Sequence, residues 1–177
     1  MSPVDADLRA RREAVIIEHM ESENVHDYDT TMGTFSHPRY EIVPTGDVFD
    51  GTERVLEYFA ESRTAFPDQR NELIALHHAE DSIVVEFKLL GTHLGPFRGL
   101  PATGRSFEVQ CIAVFQFDDD TGIVCERPYF DSATILRQLG IAHDPLTLKG
   151  RLATLANHPV TIGTAVAKDL VRRVRRR

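Results

Sequence analysis

The feature that most constrains the fold is a regular alternation of apolar and polar residues in the middle of the chain. It runs through residues 83–91 and again through 107–117, and a further extended segment, 123–130, follows the turn at 118–122. Successive side chains of a strand point to opposite faces of a sheet, so each alternating segment predicts a strand with one buried face. The short turn predicts that the last two strands pair in antiparallel fashion.

Helical patterns lie on both sides of this region. Apolar residues recur with helical spacing over residues 6–24, 28–33 and 52–66. A short helix is predicted from Ser132, with Gly140 placed to stop it. An N-terminal helical block, three or four long strands and a closing helix predict an α+β domain. In such a domain one curved antiparallel sheet wraps on the N-terminal helices and encloses a pocket.

We assign this α+β domain to residues 1–144 and treat 145–177 as a C-terminal helical extension with a basic tail. In the extension, apolar residues mark two helices separated at His158-Pro159: Leu148, Leu152 and Leu155 in the first, and Ile162, Val166, Leu170 and Val174 in the second. We expect the second set to pack on the body or on a partner, with the terminal arginines solvated. Docking of the basic tail on an anionic membrane or an acidic partner is the less favoured alternative.

Composition limits the classes of function. No segment approaches the roughly 20 apolar residues of a membrane span, and the N-terminus lacks a signal-peptide core. We therefore expect a cytoplasmic protein in which Cys111 and Cys125 are buried thiols rather than a disulfide. The net charge is −7, although the last ten residues hold six basic side chains and one acidic one. An acidic body argues against nucleic acid as a partner.

The sequence gives no support for a metal or a nucleotide cofactor, and we expect neither. It contains no HExxH, no CxxC, no GxSxG and no phosphate-binding glycine loop. His77 and His78 are adjacent in a predicted strand and would point to opposite faces. The acidic run at 118–120 lacks the downstream ligands of a calcium loop and is expected to be a solvated turn.

Polar residues at the strand ends provide the candidate site. Extending the first alternating segment by two places reaches His93, and extending the last strand in the same way reaches Arg127, Tyr129 and Asp131. If both sets face the interior, an imidazole, a guanidinium, a phenol and a carboxylate meet at one pocket mouth. Acid–base chemistry needs such a combination of a base and donors for a developing oxyanion.

Each of these residues also has a purely structural interpretation. Asp131 lies where the strand gives way to the helix and is suited to cap that helix, although Ser132 competes for the position. Arg127 is suited to neutralise a neighbouring carboxylate. Tyr129 is suited to the core and His93 to a turn. The catalytic interpretation therefore depends on the direction that the four side chains share.

Several short motifs occur along the chain in a fixed order. They are Phe66-Pro67-Asp68, Gly91-Thr92-His93-Leu94-Gly95-Pro96-Phe97, Pro101-Ala102-Thr103-Gly104-Arg105, Tyr129-Phe130-Asp131 and Gln138-Leu139-Gly140. By these motifs, over roughly residues 8–142, the chain resembles the SnoaL-like polyketide cyclase (ester cyclase) family of the nuclear transport factor 2-like superfamily. The resemblance implies a cone-shaped α+β barrel with a hydrophobic interior pocket, commonly dimeric through the outer face of the sheet.

Cyclases of that family perform a cofactor-free intramolecular aldol condensation, in which an aspartate near the end of the last strand removes a proton. The resemblance assigns that role to Asp131. Arg127, Tyr129 and His93 would bind or protonate the enolate oxygen. The side chains expected to line the pocket and bind substrate are Tyr40, Phe59, Phe87 and Phe115.

The sequence thus predicts a small-molecule cyclase or isomerase that acts on a polyketide-like or polycyclic carbonyl compound. Two alternatives remain open. One is a non-catalytic ligand-binding or dimerisation module of the same fold. The other is an epoxide hydrolase-like enzyme, which needs a second carboxylate; Glu108 and Gln110 face the wrong way to assist it. The outer face of the sheet, with Ile112 and Val114 between polar neighbours, predicts a homodimer.

Overall fold

The computed structural model describes residues 6–118 and 120–175. These residues form two compact units, divided between Leu139 and Gly140. The assignment of separate domains to residues 1–144 and 145–177 stays a prediction.

The described part of the first unit folds as helices on one curved, six-stranded sheet. The helices are α1 (Ala6–Asn24), α2 (Tyr28–Gly33), α3 (Thr52–Ala65) and α4 (Ser132–Gln138); the strands are β1 (Arg39–Ile42), β2 (Asp47–Asp50), β3 (Arg70–His78), β4 (Ser82–Thr92), β5 (Ser106–Phe117) and β6 (Ile123–Phe130). The strand order is β2-β1-β6-β5-β4-β3. The predicted α+β fold is confirmed. The sheet differs from the prediction in one respect, because β1 and β6 are parallel while the other neighbouring pairs are antiparallel.

The core lies on one face of the sheet, which we call the inner face. The alternating apolar residues of β4 and β5 point to it as predicted, and Val85 and Ala113 are fully buried there. Ile16 of α1 belongs to the same buried cluster, while Val55 of α3 lies in a second cluster with residues of β1 and β2. The two helices and the sheet thus enclose the interior that holds the candidate site.

A β-bulge in β6 reverses the direction of its side chains. Gln116 of β5 pairs with Cys125, but the next residue, Phe117, pairs with Ile123, so Val124 is left out of the register. A bulge of this kind adds one residue to a strand and shifts the alternation that follows. Beyond it, Glu126 pairs with the inward-facing Phe115. The inner face of β6 therefore carries Glu126, Pro128 and Phe130, and the outer face carries Arg127 and Tyr129.

A buried arginine fixes α1 to the far end of the sheet. The guanidinium of Arg12 donates to three backbone carbonyls, those of Glu80 (3.0 Å), Asp118 (2.8 Å) and Asp120 (2.7 Å). It also lies 4.8 Å from the ring centroid of Phe117. The side chain is buried, so these contacts satisfy donors that would otherwise be costly to remove from water. They hold the turn that precedes β4 and the turn that precedes β6 against α1.

The second unit contains two helices, as the spacing of its apolar residues predicts. α5 spans Leu148–Asn157 and α6 spans Pro159–Arg175, with His158 between them. Thr147 caps α5, because its hydroxyl accepts a hydrogen bond from the N–H of Gly150 (3.0 Å). Of the helices in the described ranges, none is both long enough and apolar enough to cross a membrane.

Candidate functional site

A buried histidine on α1 marks the site. His19 is 1% exposed, and its ring lies edge-on to Phe35 and Phe115. Its Nδ1 is 2.8 Å from Thr34 Oγ1. The Thr34 hydroxyl already donates its single proton to the carbonyl of Thr31 (2.7 Å). Thr34 Oγ1 therefore accepts from His19, which places the proton of a neutral ring on Nδ1 and leaves a lone pair on Nε2.

Two buried side chains from the sheet face that Nε2. The hydroxyl of Tyr40, on β1, donates to it over 2.9 Å. Oε2 of Glu126, on β6, lies 3.2 Å from the same nitrogen. This oxygen has an ion-pair distance but no well-aligned hydrogen bond to any described residue. A carboxylate, an imidazole and a phenol thus meet at one nitrogen atom.

A second carboxyl group, that of Glu23, follows His19 by one helical turn. It is buried, and its Oε2 accepts a hydrogen bond from Asn71 Nδ2 (2.6 Å). Burial raises the pKa of Glu23 above its usual value and the negative charge of Glu126 raises it further, whereas His19 and Arg63 act in the opposite direction. The raised pKa makes the charged form of Glu23 less favourable, a property that carboxyl groups in acid–base sites also have.

Tyrosine side chains supply hydrogen-bond donors to the same interior. Burial, followed by the charges of the two carboxylates, raises the pKa of Tyr40 and of Tyr58 above the usual value for a phenol. Both hydroxyls therefore keep their protons and can stabilise a developing negative oxygen. The ring of Tyr28 stacks on Phe59 at 5.0 Å between centroids, and its buried hydroxyl oxygen has no hydrogen-bond partner among the described residues.

This arrangement suits proton transfer to and from carbon. It places a carboxylate and an imidazole beside phenol donors in an interior where electrostatic interactions are stronger than in water. Unpaired buried polar atoms such as Tyr28 Oη and Glu126 Oε2 are uncommon, and each calls for an explanation such as a catalytic role. In the described ranges, no group of three or more His, Cys, Asp or Glu side chains is placed to hold a metal ion.

Asp131 lies outside this interior and caps α4. Its Oδ1 accepts from the backbone N–H groups of Ala133 (2.9 Å) and Thr134 (3.2 Å). Its Oδ2 accepts from the Thr134 hydroxyl (2.5 Å) and from Arg137 (3.2 Å). These hydrogen bonds, first that from the Thr134 side chain, lower the pKa of Asp131. The side chain is 56% exposed, so the expectation that it faces the interior is wrong.

Arg127 and Tyr129 lie on the outer face of the sheet. The expectation that they point inward is wrong, because the bulge at Val124 exchanges the two faces of β6. Arg127 Nε donates to Glu41 Oε2 over 2.6 Å, and Tyr129 is exposed. Tyr129 and Asp131 together line a hollow of about 580 Å³ on that face. This hollow is the place where the structure brings two of the predicted residues together.

His93, by contrast, is buried. Its Nδ1 lies 3.2 Å from Thr103 Oγ1 and its ring lies 5.2 Å from that of Phe66. Its Nε2 has no hydrogen-bond partner in the described ranges. These contacts connect it to the loop after β4 and to the end of α3 rather than to Glu126 or Asp131. The four residues predicted to be catalytic thus do not meet at one site, although Tyr129 and Asp131 share the outer hollow, and their catalytic role stays a prediction.

The residues predicted to line the pocket are all buried. Phe115 and Tyr40 contact the His19 ring at 5.4 and 6.4 Å between centroids, and Phe59 contacts Tyr40 at 5.4 Å. Phe87 lies in the core beneath β4. Three of the four therefore surround the buried site, and their role in substrate binding stays a prediction.

Sequence reasoning missed His19, Glu23 and Glu126 as site residues. A signal for the first two was present, because both follow the helical spacing of the apolar residues Ile16 and Met20 on α1. A polar residue on an apolar helical face needs a buried partner. Glu126 carried no such signal, because its direction depends on the bulge.

Comparison with known proteins agrees with this fold. The family model described as SnoaL-like polyketide cyclase matches residues 15–139. A search of curated proteins gave no significant match.

Solved structures with the same fold include IdmH from Streptomyces antibioticus, which is provisionally described as a polyketide cyclase. It is 26% identical, with a TM-score of 0.61 over 73% of this chain and 98% of that chain. TsrD from Streptomyces laurentii is also 26% identical, with a TM-score of 0.65 over 75% and 97% of the two chains. A Catenulispora acidiphila protein with a ketosteroid isomerase-like fold is 15% identical, with a TM-score of 0.61 over 72% and 92% of the two chains.

Proposed function

Because the chain belongs to the SnoaL-like polyketide cyclase family, we propose that it is a cofactor-free cyclase or isomerase acting by general acid–base catalysis. Its substrate would be a polyketide-like or polycyclic carbonyl compound. The observation that best supports this proposal is the convergence of Tyr40 and Glu126 on Nε2 of the buried His19.

The roles follow from the hydrogen bonds. Glu126 has an unpaired oxygen and is assigned as the base that takes a proton from the carbon next to a carbonyl group. The electron pair of that C–H bond moves onto the carbonyl oxygen. The hydroxyl of Tyr40, whose raised pKa keeps its proton in place, would then turn from His19 Nε2 and donate its hydrogen bond to that oxygen. His19, held by Thr34, orients the Tyr40 hydroxyl before substrate binds. In a cyclase the enolate carbon then attacks a second carbonyl carbon, and the alkoxide that forms takes the proton back from Glu126. In an isomerase Glu126 returns the proton to another carbon of the enolate.

Proton exchange tests this assignment without knowledge of the natural substrate. 2-Tetralone, a fused-ring ketone, can be incubated with the protein in D2O and its loss of α-protons followed by NMR. We expect the wild-type protein to accelerate exchange and Glu126→Gln to reduce the acceleration by a factor of about 100 or more. Asp131→Asn is the matched control, because it removes the other candidate carboxylate while keeping a side chain able to cap α4.

Asp131, which the family motif assigns as the base, stays the competing candidate. Loss of exchange in Asp131→Asn with full exchange in Glu126→Gln would move the site to the outer hollow that Asp131 shares with Tyr129. Full exchange in both folded variants would contradict acid–base catalysis by either group. Binding of 2-tetralone without any exchange would favour the non-catalytic ligand-binding alternative.

An epoxide hydrolase-like activity is a second candidate, supported by one observation. That reaction needs a second carboxylate, and Glu23 supplies one whose pKa is raised by burial and by Glu126. A protonated Glu23 could donate to an epoxide oxygen while Glu126 activates water. Incubation with styrene oxide in ¹⁸O-labelled water distinguishes this reaction, because hydrolysis would place one labelled oxygen in the diol and proton exchange would place none.

We further infer a homodimer formed through the outer face of the sheet. Ile74, Ile112 and Tyr129 are exposed on the outer face of the sheet, on β3, β5 and β6, and exposed apolar patches of this kind commonly form interfaces. A cytoplasmic location is also proposed. Cys111 and Cys125 are both unpaired and buried, and burial raises the pKa of the Cys111 thiol to about 12, which suits unreactive thiols in a reducing compartment.

A further inference from the structure

Helix α6 exposes a continuous apolar face. Val160, Val166, Val171 and Val174 are 77%, 53%, 53% and 75% exposed. Successive residues of an α-helix are about 100° apart around its axis, so these four valines fall within an arc of about 140° on one side. Exposed large apolar side chains on one helix face are unusual for a surface that only meets water.

Basic residues are the charged groups that predominate on the rest of the helix surface. By the same helical spacing, Lys168 and Arg172 lie on the side away from the valines, and Arg175 lies about 40° beyond Val171. Arg173 lies at the border of the apolar face and pairs with Asp169 over 2.8 Å. Asp169 is the only acidic residue in the sequence of α6, and the chain continues with two further arginines at 176 and 177.

We propose that α6 binds the surface of an anionic lipid bilayer, lying in the plane of the interface. The valine face would enter the boundary between headgroups and acyl chains, and the basic side chains would contact lipid phosphates or carboxylates. The long stems of lysine and arginine let their charges reach the headgroups while their methylene groups stay near apolar surface. At 17 residues, the helix is about 25 Å long and lies on the membrane rather than crossing it.

The charge pattern favours a lipid surface over other occupants of this face. A second copy of α6 would bring two strongly basic helices together, and like charges oppose that contact. An acidic protein or a nucleic acid would account for the arginines but leave the valines unexplained. An uncharged bilayer would account for the valines but not for the arginines. The inference does not depend on the proposed catalytic activity.

Co-sedimentation of the full chain with vesicles tests the proposal. We expect binding to vesicles of equal parts phosphatidylglycerol and phosphatidylcholine, and little binding to phosphatidylcholine alone. Replacing Arg172 and Arg175 with Gln should weaken binding roughly 25-fold, since each basic residue contributes a factor of about five. Val166→Asp with Val171→Asp should weaken it more than tenfold, to judge from the apolar area withdrawn from water. The matched control, Thr161→Asp with Ala165→Asp, adds the same charge on the polar side and should weaken binding less.

Tryptophan fluorescence gives a second measurement that leaves the apolar face intact. The chain contains no tryptophan, so one introduced residue reports its own surroundings. Val171→Trp should shift its emission to shorter wavelength when anionic vesicles are added, whereas Ala165→Trp, on the polar side, should not.

Three results would overturn the proposal. The first is the absence of any vesicle binding by the wild-type chain or of an emission shift in Val171→Trp. The second is binding that depends on the arginines but not on the valines, which would indicate an acidic macromolecule or a purely electrostatic contact. The third is a valine-dependent change in molecular mass without vesicles, which would show that a second copy covers the face.

Discussion

At the scale of single residues, Glu126 and Asp131 show how the surroundings of a carboxylate decide its use. Asp131 is exposed and its oxygen atoms are fully engaged by α4, so its lowered pKa keeps it ionised but occupied. Glu126 is buried beside His19 and has an oxygen without a hydrogen-bond partner in the described chain. A base must be able to accept a proton, and this favours Glu126.

Glu23 provides a test of the buried charges through the pH dependence of stability. Its folded-state pKa is raised above the usual 4.5, chiefly by burial. The folded protein therefore holds this proton more tightly than the unfolded chain, and stability falls as the pH rises from 4.5 through the raised value. Glu23→Gln removes this loss. At neutral pH we expect its melting temperature to exceed that of the wild type by a few degrees, which corresponds to a free energy of unfolding on the order of 1 kcal/mol higher. Below pH 4.5 the difference in melting temperature between the two proteins should no longer change with pH.

The control for this experiment is Glu18→Gln, the same change at an exposed position of α1. Thermal unfolding of both variants and the wild type, followed by circular dichroism across the pH range, separates the effect of burial from that of net charge. If the gain in melting temperature of Glu23→Gln over the wild type were no larger at neutral pH than at pH 4, the raised pKa would be contradicted.

At the scale of secondary structure, the face of the sheet to which each side chain points was predictable only where the strands are regular. β4 and β5 contain no bulge between residues 82 and 92 or between 106 and 116, and there the alternation assigned each side chain to the correct face. In β6 the bulge at Val124 exchanges the two faces. Pro128 in the middle of that strand is the sequence sign of an irregularity, because proline cannot donate to a neighbouring strand. No local pattern gives the position of the extra residue.

The buried site was missed for a related reason. Helical spacing places His19 and Glu23 on the apolar face of α1, but it does not show the long-range partners that make them a site. His19 shares a helix face with Ile16, but its partners Thr34 and Tyr40 come from other elements. The burial of the aromatic residues expected to line the pocket was easier to predict, because large apolar residues are mostly buried whatever their partners are.

Among the contacts between secondary-structure elements, those of Arg12 are the ones whose loss we expect to lower stability most. Arg12→Met keeps most of the apolar stem but leaves three backbone carbonyls without their donor. We expect the free energy of unfolding to fall by about 2–4 kcal/mol, measured by urea denaturation. Arg11→Met is the control, since Arg11 makes half-exposed ion pairs with Asp7 and Asp120 and should change stability by less than about 1 kcal/mol. Equal effects in the two variants would show that the buried contact is unimportant.

At the scale of the whole molecule, the outer sheet face determines the proposed assembly. Ile112 of β5 and Tyr129 of β6 are half exposed on adjacent strands, and Ile74 is half exposed on β3, which β4 separates from β5. Light scattering should give about twice the chain mass of 19.9 kDa at micromolar concentration. Ile112→Asp should reduce the mass to that of one chain, because burying an unpaired charge at an interface is costly.

Val25→Asp is the matched control for dimerisation. Val25 is 75% exposed just after α1, and α1 packs on the inner face of the sheet, so the substitution should leave the mass unchanged. A wild-type chain that scatters as a single copy would reject the dimer outright.

The bulge at Val124 also bears on how such sequences diverge and how they should be aligned. Removing one residue from β6 would exchange the faces of everything that follows it, so a single-codon deletion could turn Glu126 away from the interior and bring Arg127 into its place. Two relatives with the same terminal motif could then carry their working carboxylate at different alignment columns. Transfer of an active-site residue by motif alone would assign the wrong one, whereas superposition of the strand pairs would recover it.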